Sequence, residues 1–192
     1  MNRKPTRMLR MPSRMSMGSV AAVLMCVPLL LRAQTPLTPS QQQNVDNYRL
    51  YSAFFSVIKV TDLMADKAEA RGKDPRGLTR KTIQTEARLT DTEYGAVRAA
   101  ALDSNAQVDL KLKQQQEVIQ PFIPKVPGGT NYPPDVGRQV ANLQREMLQI
   151  VLDHIQQIKT ALGDTRFQRF DQYVRTSIGP HLGSKTPPNK QK

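Results

Sequence analysis

From Pro39 to Ala70 the apolar positions Val45, Tyr48, Tyr51, Phe55, Ile58 and Met64, with Leu63 alongside, recur mostly at spacings of three and four. That is the period of one face of an α-helix. Arg71-Gly72-Lys73-Asp74-Pro75 ends the run, because Gly suits a C-terminal cap and Pro cannot continue the hydrogen-bond ladder. A short segment from Leu78 to Arg88 also reads as helical. A second long helix is predicted over Asp91–Ile119, with Tyr94, Val97, Ala101, Val108, Leu112 and Ile119 along one side. Residues 120–135 then read as a loop, punctuated by Pro121, Pro124, Pro127, Gly128, Gly129, Pro133 and Pro134. A third long pattern, Asp135–Ala161, turns Val136, Val140, Leu143, Met147, Ile150, Val151 and Ile158 inward. Gly163 ends it, and a last helix carries Phe167, Phe170, Tyr173, Val174 and Ile178. From Gly179 the apolar content falls, and residues 179–192 read as a disordered tail. No segment alternates with period two over any length. The expectation is therefore an all-α chain, either an elongated helical hairpin or an antiparallel bundle of three long and two short helices, in one domain over residues 34–178.

Hairpin and bundle differ in what they do with the first long helix. Tyr48, Tyr51 and Phe55 share a face, and Phe54 sits about 100° round from Phe55, which widens the apolar stripe. In a closed bundle these side chains are core. In an open hairpin the extra width offers Tyr51, Phe54, Phe55 and Ile58 to a client or a second subunit.

Three short stretches stand where helices should begin: Leu37-Thr38-Pro39-Ser40-Gln41, Leu89-Thr90-Asp91-Thr92-Glu93 and Leu162-Gly163-Asp164-Thr165-Arg166. Helix-start chemistry accounts for them. Thr90 can cap the first free amides while Glu93 reaches back, and Leu89 can pack on Tyr94 as a staple. Thr38 and Gln41 repeat the box, with Pro39 at the favoured first helical position. The third stretch keeps the staple, Leu162 on Phe167, with Gly163 as a cap ahead of Asp164.

Charge changes the picture at the N-terminus. The first 33 residues hold six Lys and Arg, no Asp or Glu, and six of the eight Met. A basic lead, an apolar run from Val20 to Leu31 and Leu31-Arg32-Ala33 together read as a secretory signal cut after Ala33. The run is shorter than the roughly 20 apolar residues of a membrane span. Cys26 lies inside it, so the exported product would hold no cysteine and would depend on core packing alone. Of the formal charge of +12, half belongs to this signal; the remaining residues carry 22 basic and 16 acidic side chains. That balance, without aromatic interleaving, gives no argument for nucleic acid.

An exported, cysteine-free, helical chain with Leu-Thr-x-x-Gln at a helix start resembles the Spy/CpxP group of bacterial periplasmic stress proteins and chaperones. Leu37 to Gln41 matches the motif literally. Leu89 to Glu93 carries Glu in place of Gln, and Leu162 to Arg166 departs at both the Thr and the Gln. The resemblance implies a curved helical homodimer whose concave apolar and basic surface holds unfolded polypeptides without ATP.

Chemistry-bearing constellations are sparse. His154 and His181 are the two histidines, and neither has a metal-ligand spacing. No nucleophile elbow or phosphate-binding Gly loop occurs. The expectation is a non-enzyme without cofactor or metal. Between Arg71 and Arg88 lie six basic residues, including Arg76, Arg80 and Lys81, against Asp74 and Glu86. Read functionally, Arg76, Arg80 and Lys81 supply charge for a client, while a solvated connector is the plainer account. Two function classes follow: a periplasmic binding protein of chaperone or stress-response type, or a closed bundle serving a dedicated envelope protein. Attachment to an anionic membrane surface through Arg71–Arg88 is a third.

Overall fold

The computed structural model describes residues 37–72, 80–123 and 133–182. The expected signal peptide, most of the Pro-rich loop, Arg76 and the tail beyond Leu182 lie outside those residues. Among the described residues five α-helices follow one another: α1 (Pro39–Glu69), α2 (Arg80–Glu86), α3 (Asp91–Ile119), α4 (Pro134–Leu162) and α5 (Asp164–Leu182), with a 3-10 turn at Gln120–Phe122 after α3. No strand occurs among the described residues. The fold is an all-α bundle of three long helices and two shorter ones.

The caps explain why the helices start where they do. Thr38 Oγ1 accepts from the Gln41 amide at 3.3 Å, and the Thr38 amide donates to Gln41 Oε1 at 3.0 Å. Thr90 and Glu93 repeat this at 3.3 and 2.8 Å. Each box satisfies amides that the first helical turn leaves without partners. Between α2 and α3 the chain turns in a Schellman motif: the Leu89 amide donates to the Gln84 carbonyl and the Arg88 amide to the Thr85 carbonyl. Leu89 is buried, as is Ile83 on the preceding turn. One leucine thus closes α2 and leads into α3.

α3 and α4 pair antiparallel. Asp103 meets His154 and Lys111 meets Glu146, so progress along one helix is retreat along the other. α1 runs against α5 in the same sense, Tyr51 bonding Asp171 and Asn47 bonding Arg175. The main core lies where α1, α3, α4 and α5 meet. Tyr51, Phe54, Phe55 and Ile58 come from α1, Val97 and Ala101 from α3, Val151 and Ile158 from α4, and Phe170 and Val174 from α5. Aromatic rings tie α1 to α5: Phe54 and Phe170 stand edge to face at 5.5 Å, and Tyr51 lies 6.4 Å from Phe170.

Two boundaries differ from the sequence expectation. Leu63 and Met64, assigned to the inward stripe of α1, are 53% and 58% exposed. The buried face continues from Ile58 at spacings of three and four, and so falls on Thr61, Asp62 and Ala65. The inward face here is polar, and a search for apolar positions follows the wrong side of the helix. At the other end, α5 extends through Gly179 and Pro180 to Leu182. Ile178 packs against the core and anchors this last turn, where a proline removes only one terminal hydrogen bond.

Candidate functional site

The four side chains expected to touch a client are sealed. Tyr51 and Ile58 are 0% exposed, and Phe54 and Phe55 are 1% exposed. From α5, Phe170 packs on Tyr51 and Phe54, and Tyr173 packs on Phe54, which removes the open-hairpin version of the site. Tyr51 is the most committed of the four. Its hydroxyl donates to Asp171 at 2.9 Å, and burial together with that carboxylate pushes its ionisation far above the ordinary tyrosine value.

The basic trio divides. Arg76 lies outside the described residues. Lys81 is exposed. Arg80, expected to be free for charge contacts, is taken up within the chain. Its Nε reaches Asp62 at 2.6 Å and one terminal nitrogen reaches Asp66 at 2.7 Å. Arg98 approaches the other Asp62 oxygen at 2.5 Å. Asp62 has only 8% of its side chain exposed, and these two guanidinium groups, one from α2 and one from α3, compensate its burial. Hydrogen bonding to the two aspartates holds Arg80 still more firmly protonated than usual. The triad pins α1, α2 and α3 together.

Two of the three helix starts land as the capping reading expects. Thr38 with Gln41, and Thr90 with Glu93, form closed boxes. Leu37 is half-buried and Leu89 and Leu162 are buried, while Asp164 is exposed and paired with Lys159 at 3.3 Å. Sequence reasoning missed that the departures from the motif complement one another. Arg166, standing where the first motif has Gln, meets both oxygens of Glu93, the Glu of the second motif. The Thr90 amide, then the Thr90 hydroxyl and Arg166, hold the Glu93 carboxyl below the ordinary glutamate range. The starts of α3 and α5 are thereby joined.

His154 is 3% exposed. Its Nδ1 lies 2.7 Å from the Ile150 carbonyl oxygen and its Nε2 2.9 Å from Asp103 Oδ2. The His154 contact holds the Asp103 carboxyl below its usual value. The pair links α4 to α3. Among the described residues no group of three or more His, Cys, Asp or Glu could hold a metal ion, and no helix is long and apolar enough to cross a membrane.

Two surface features of the described residues bear on binding. Val60, Leu63 and Met64 form a short exposed apolar line on the outer face of α1. A cleft of about 480 Å³ lies where the α2–α3 turn faces α5, with Arg88 on one side and Arg166, Arg169 and Tyr173 on the other. Comparison of the chain with protein-family models, with curated proteins and with solved structures returns no match.

Proposed function

We propose that this chain is an exported, non-enzymatic helical interaction module, a closed bundle that meets a dedicated envelope partner with its outer surface. The supporting observation is the sealing of the aromatic cluster. With Tyr51, Phe54, Phe55 and Ile58 at 0–1% exposure, the widest apolar stripe of the sequence is spent on the chain's own core. Binding unfolded clients through it would require the bundle to open, at the cost of the contacts that hold α5 to α1. Export rests on the basic, Met-rich lead and the apolar run before Ala33.

A second reading, an ATP-independent holder of unfolded chains like the Spy/CpxP group, draws support from a different surface. Val60, Leu63 and Met64 are exposed together on α1. That reading transfers client contact from the aromatic residues to these three.

One experiment separates the two. The purified protein is added to a chemically denatured client without ATP, and light scattering is followed over time. The interaction-module reading expects no suppression from a sample that unfolds in one cooperative urea transition. Suppression at near-stoichiometric amounts, lost on Leu63→Ser with Met64→Ser, would instead establish the holder reading. Export is tested by sequencing the N-terminus of protein recovered from the cell envelope, which should begin at Gln34.

A further inference from the structure

The cleft between the α2–α3 turn and α5 carries three arginines, two of them at positions where local helix physics disfavours them. Arg88 sits at φ 53°, the only non-glycine among the described residues with positive φ. At that C-terminal cap position glycine is favoured, because a Cβ there crowds the backbone. Arg166 lies in the first turn of α5, where the positive end of the helix dipole disfavours cations, and Arg169 follows one turn on. Arg166 is compensated by Glu93. Arg88 and Arg169 make no ion pair among the described residues. An arginine kept at a strained backbone position without an internal partner, facing a second unpaired arginine across a cleft, marks a site where charge serves something outside the chain.

The geometry points to this cleft as a binding site for an extended acidic peptide segment, whose carboxylates would meet Arg88 and Arg169. This inference rests on the interaction-module reading and names the chemistry of its partner. The two guanidinium groups present forked donors of the shape a carboxylate accepts in pairs. They are exposed, so a single small anion between them would gain little over water. An extended chain gains from several spaced contacts along α5, where Gln172 and Thr176 continue the cleft beyond Arg169. Nucleic acid fits less well. Tyr173, the one aromatic ring in the cleft, is half-buried against Phe54 with its hydroxyl turned to Glu86 at 3.4 Å, so it offers less ring surface for base stacking than an exposed platform. Glu86 is the opposing charge in the cleft, and it gives the proposal a sign in both directions.

The test is fluorescence anisotropy of a labelled oligo-glutamate peptide titrated with the purified protein at low salt, with variants checked by circular dichroism. Arg169→Gln should weaken binding roughly five-fold, and Arg88→Gly by a similar factor. Because Arg88→Gly also relieves the backbone, it should raise the urea midpoint while it lowers affinity, an opposition that loss of folding cannot produce. Glu86→Gln should tighten binding, and Arg145→Gln, distant on α4, should leave it unchanged. Raised salt should abolish it. Equal affinity in the wild type and both arginine variants, no binding at low salt, or stronger binding of a single-stranded oligonucleotide would overturn the proposal. Failure of the module reading looks different. If crosslinking in envelope extracts recovers a partner whose binding ignores Arg169→Gln, the module reading stands and the acidic-peptide assignment falls. If it recovers none while the peptide data hold, the cleft's preference for acidic peptide is kept as a property of the surface and the dedicated-partner reading falls.

Discussion

Arg88 and Gly163 both sit at positive φ, and substitution should move stability in opposite directions at the two. Gly163, between α4 and α5, has φ 72° and ψ 160°, a region open almost only to glycine. A Cβ built there meets nothing within 4 Å, so space is not the obstacle. Gly163→Ala should therefore destabilise the protein by about 2 kcal/mol through backbone strain alone, read as a fall in the urea midpoint at constant slope. Arg88→Gly removes a side chain from a left-handed position and should stabilise by about 1 kcal/mol. The pH response is also set by single residues. The folded carboxyl of Asp103 is held below its ordinary value by His154, so the unfolded state takes up protons first as the medium is acidified. The pair's contribution is complete above the ordinary carboxylate range and is lost as the pH falls through the depressed folded value. Urea midpoints measured from neutral pH down to about pH 3 should fall less steeply in Asp103→Asn than in the wild type. Identical slopes would show that the contact carries no linkage.

The helix starts are more than local caps. Thr90→Ala removes the acceptor for the Glu93 amide and should cost about 1 kcal/mol. Glu93 also receives Arg166 from α5, so a double-mutant cycle between Glu93→Gln and Arg166→Gln should give a coupling of no more than about 1 kcal/mol, since Arg166 is half exposed. The Asp62 triad does heavier work between elements. Asp62→Ala leaves Arg98 without its acceptor and leaves Arg80 only Asp66 and Glu69 on α1. A loss of about 2 kcal/mol is expected, together with faster hydrogen exchange in α2, which this triad clamps to α1.

For the molecule as a whole, the aromatic cluster decides between a sealed and an open bundle. Phe54→Ser deletes a ring packed against Phe55, Phe170 and Tyr173 and places a hydroxyl in the gap. The expected cost is about 4 kcal/mol, enough to unfold a marginal domain at moderate denaturant. Client-binding assays on this variant would report loss of fold and not loss of a contact surface. Leu63→Ser with Met64→Ser, on the exposed face of α1, should leave the urea midpoint within about 0.5 kcal/mol of wild type, which makes it the cleaner probe of surface function.

Period and punctuation along the chain determined which segments are helical. α1 and α3 begin at Pro39 and Asp91, as the Thr38 and Thr90 boxes require, because capping is settled by residues three or four apart. The inward faces of α3 and α4 were legible for the same reason. Tertiary structure alone decided which wide stripe is core and which exposed: Phe54 is buried because α5 returns across α1, and Leu63 is exposed because Asp62 finds Arg80 and Arg98 from other helices. It also decided that Arg80 is a clamp, that Glu93 and Arg166 complete one another, and that Arg88 and Arg169 share a cleft. A hydrophobic period ranks positions by the transfer of their own side chains from water. It carries no information on a charge whose burial is compensated by partners distant in the chain, and that compensation exists only after the helices have packed.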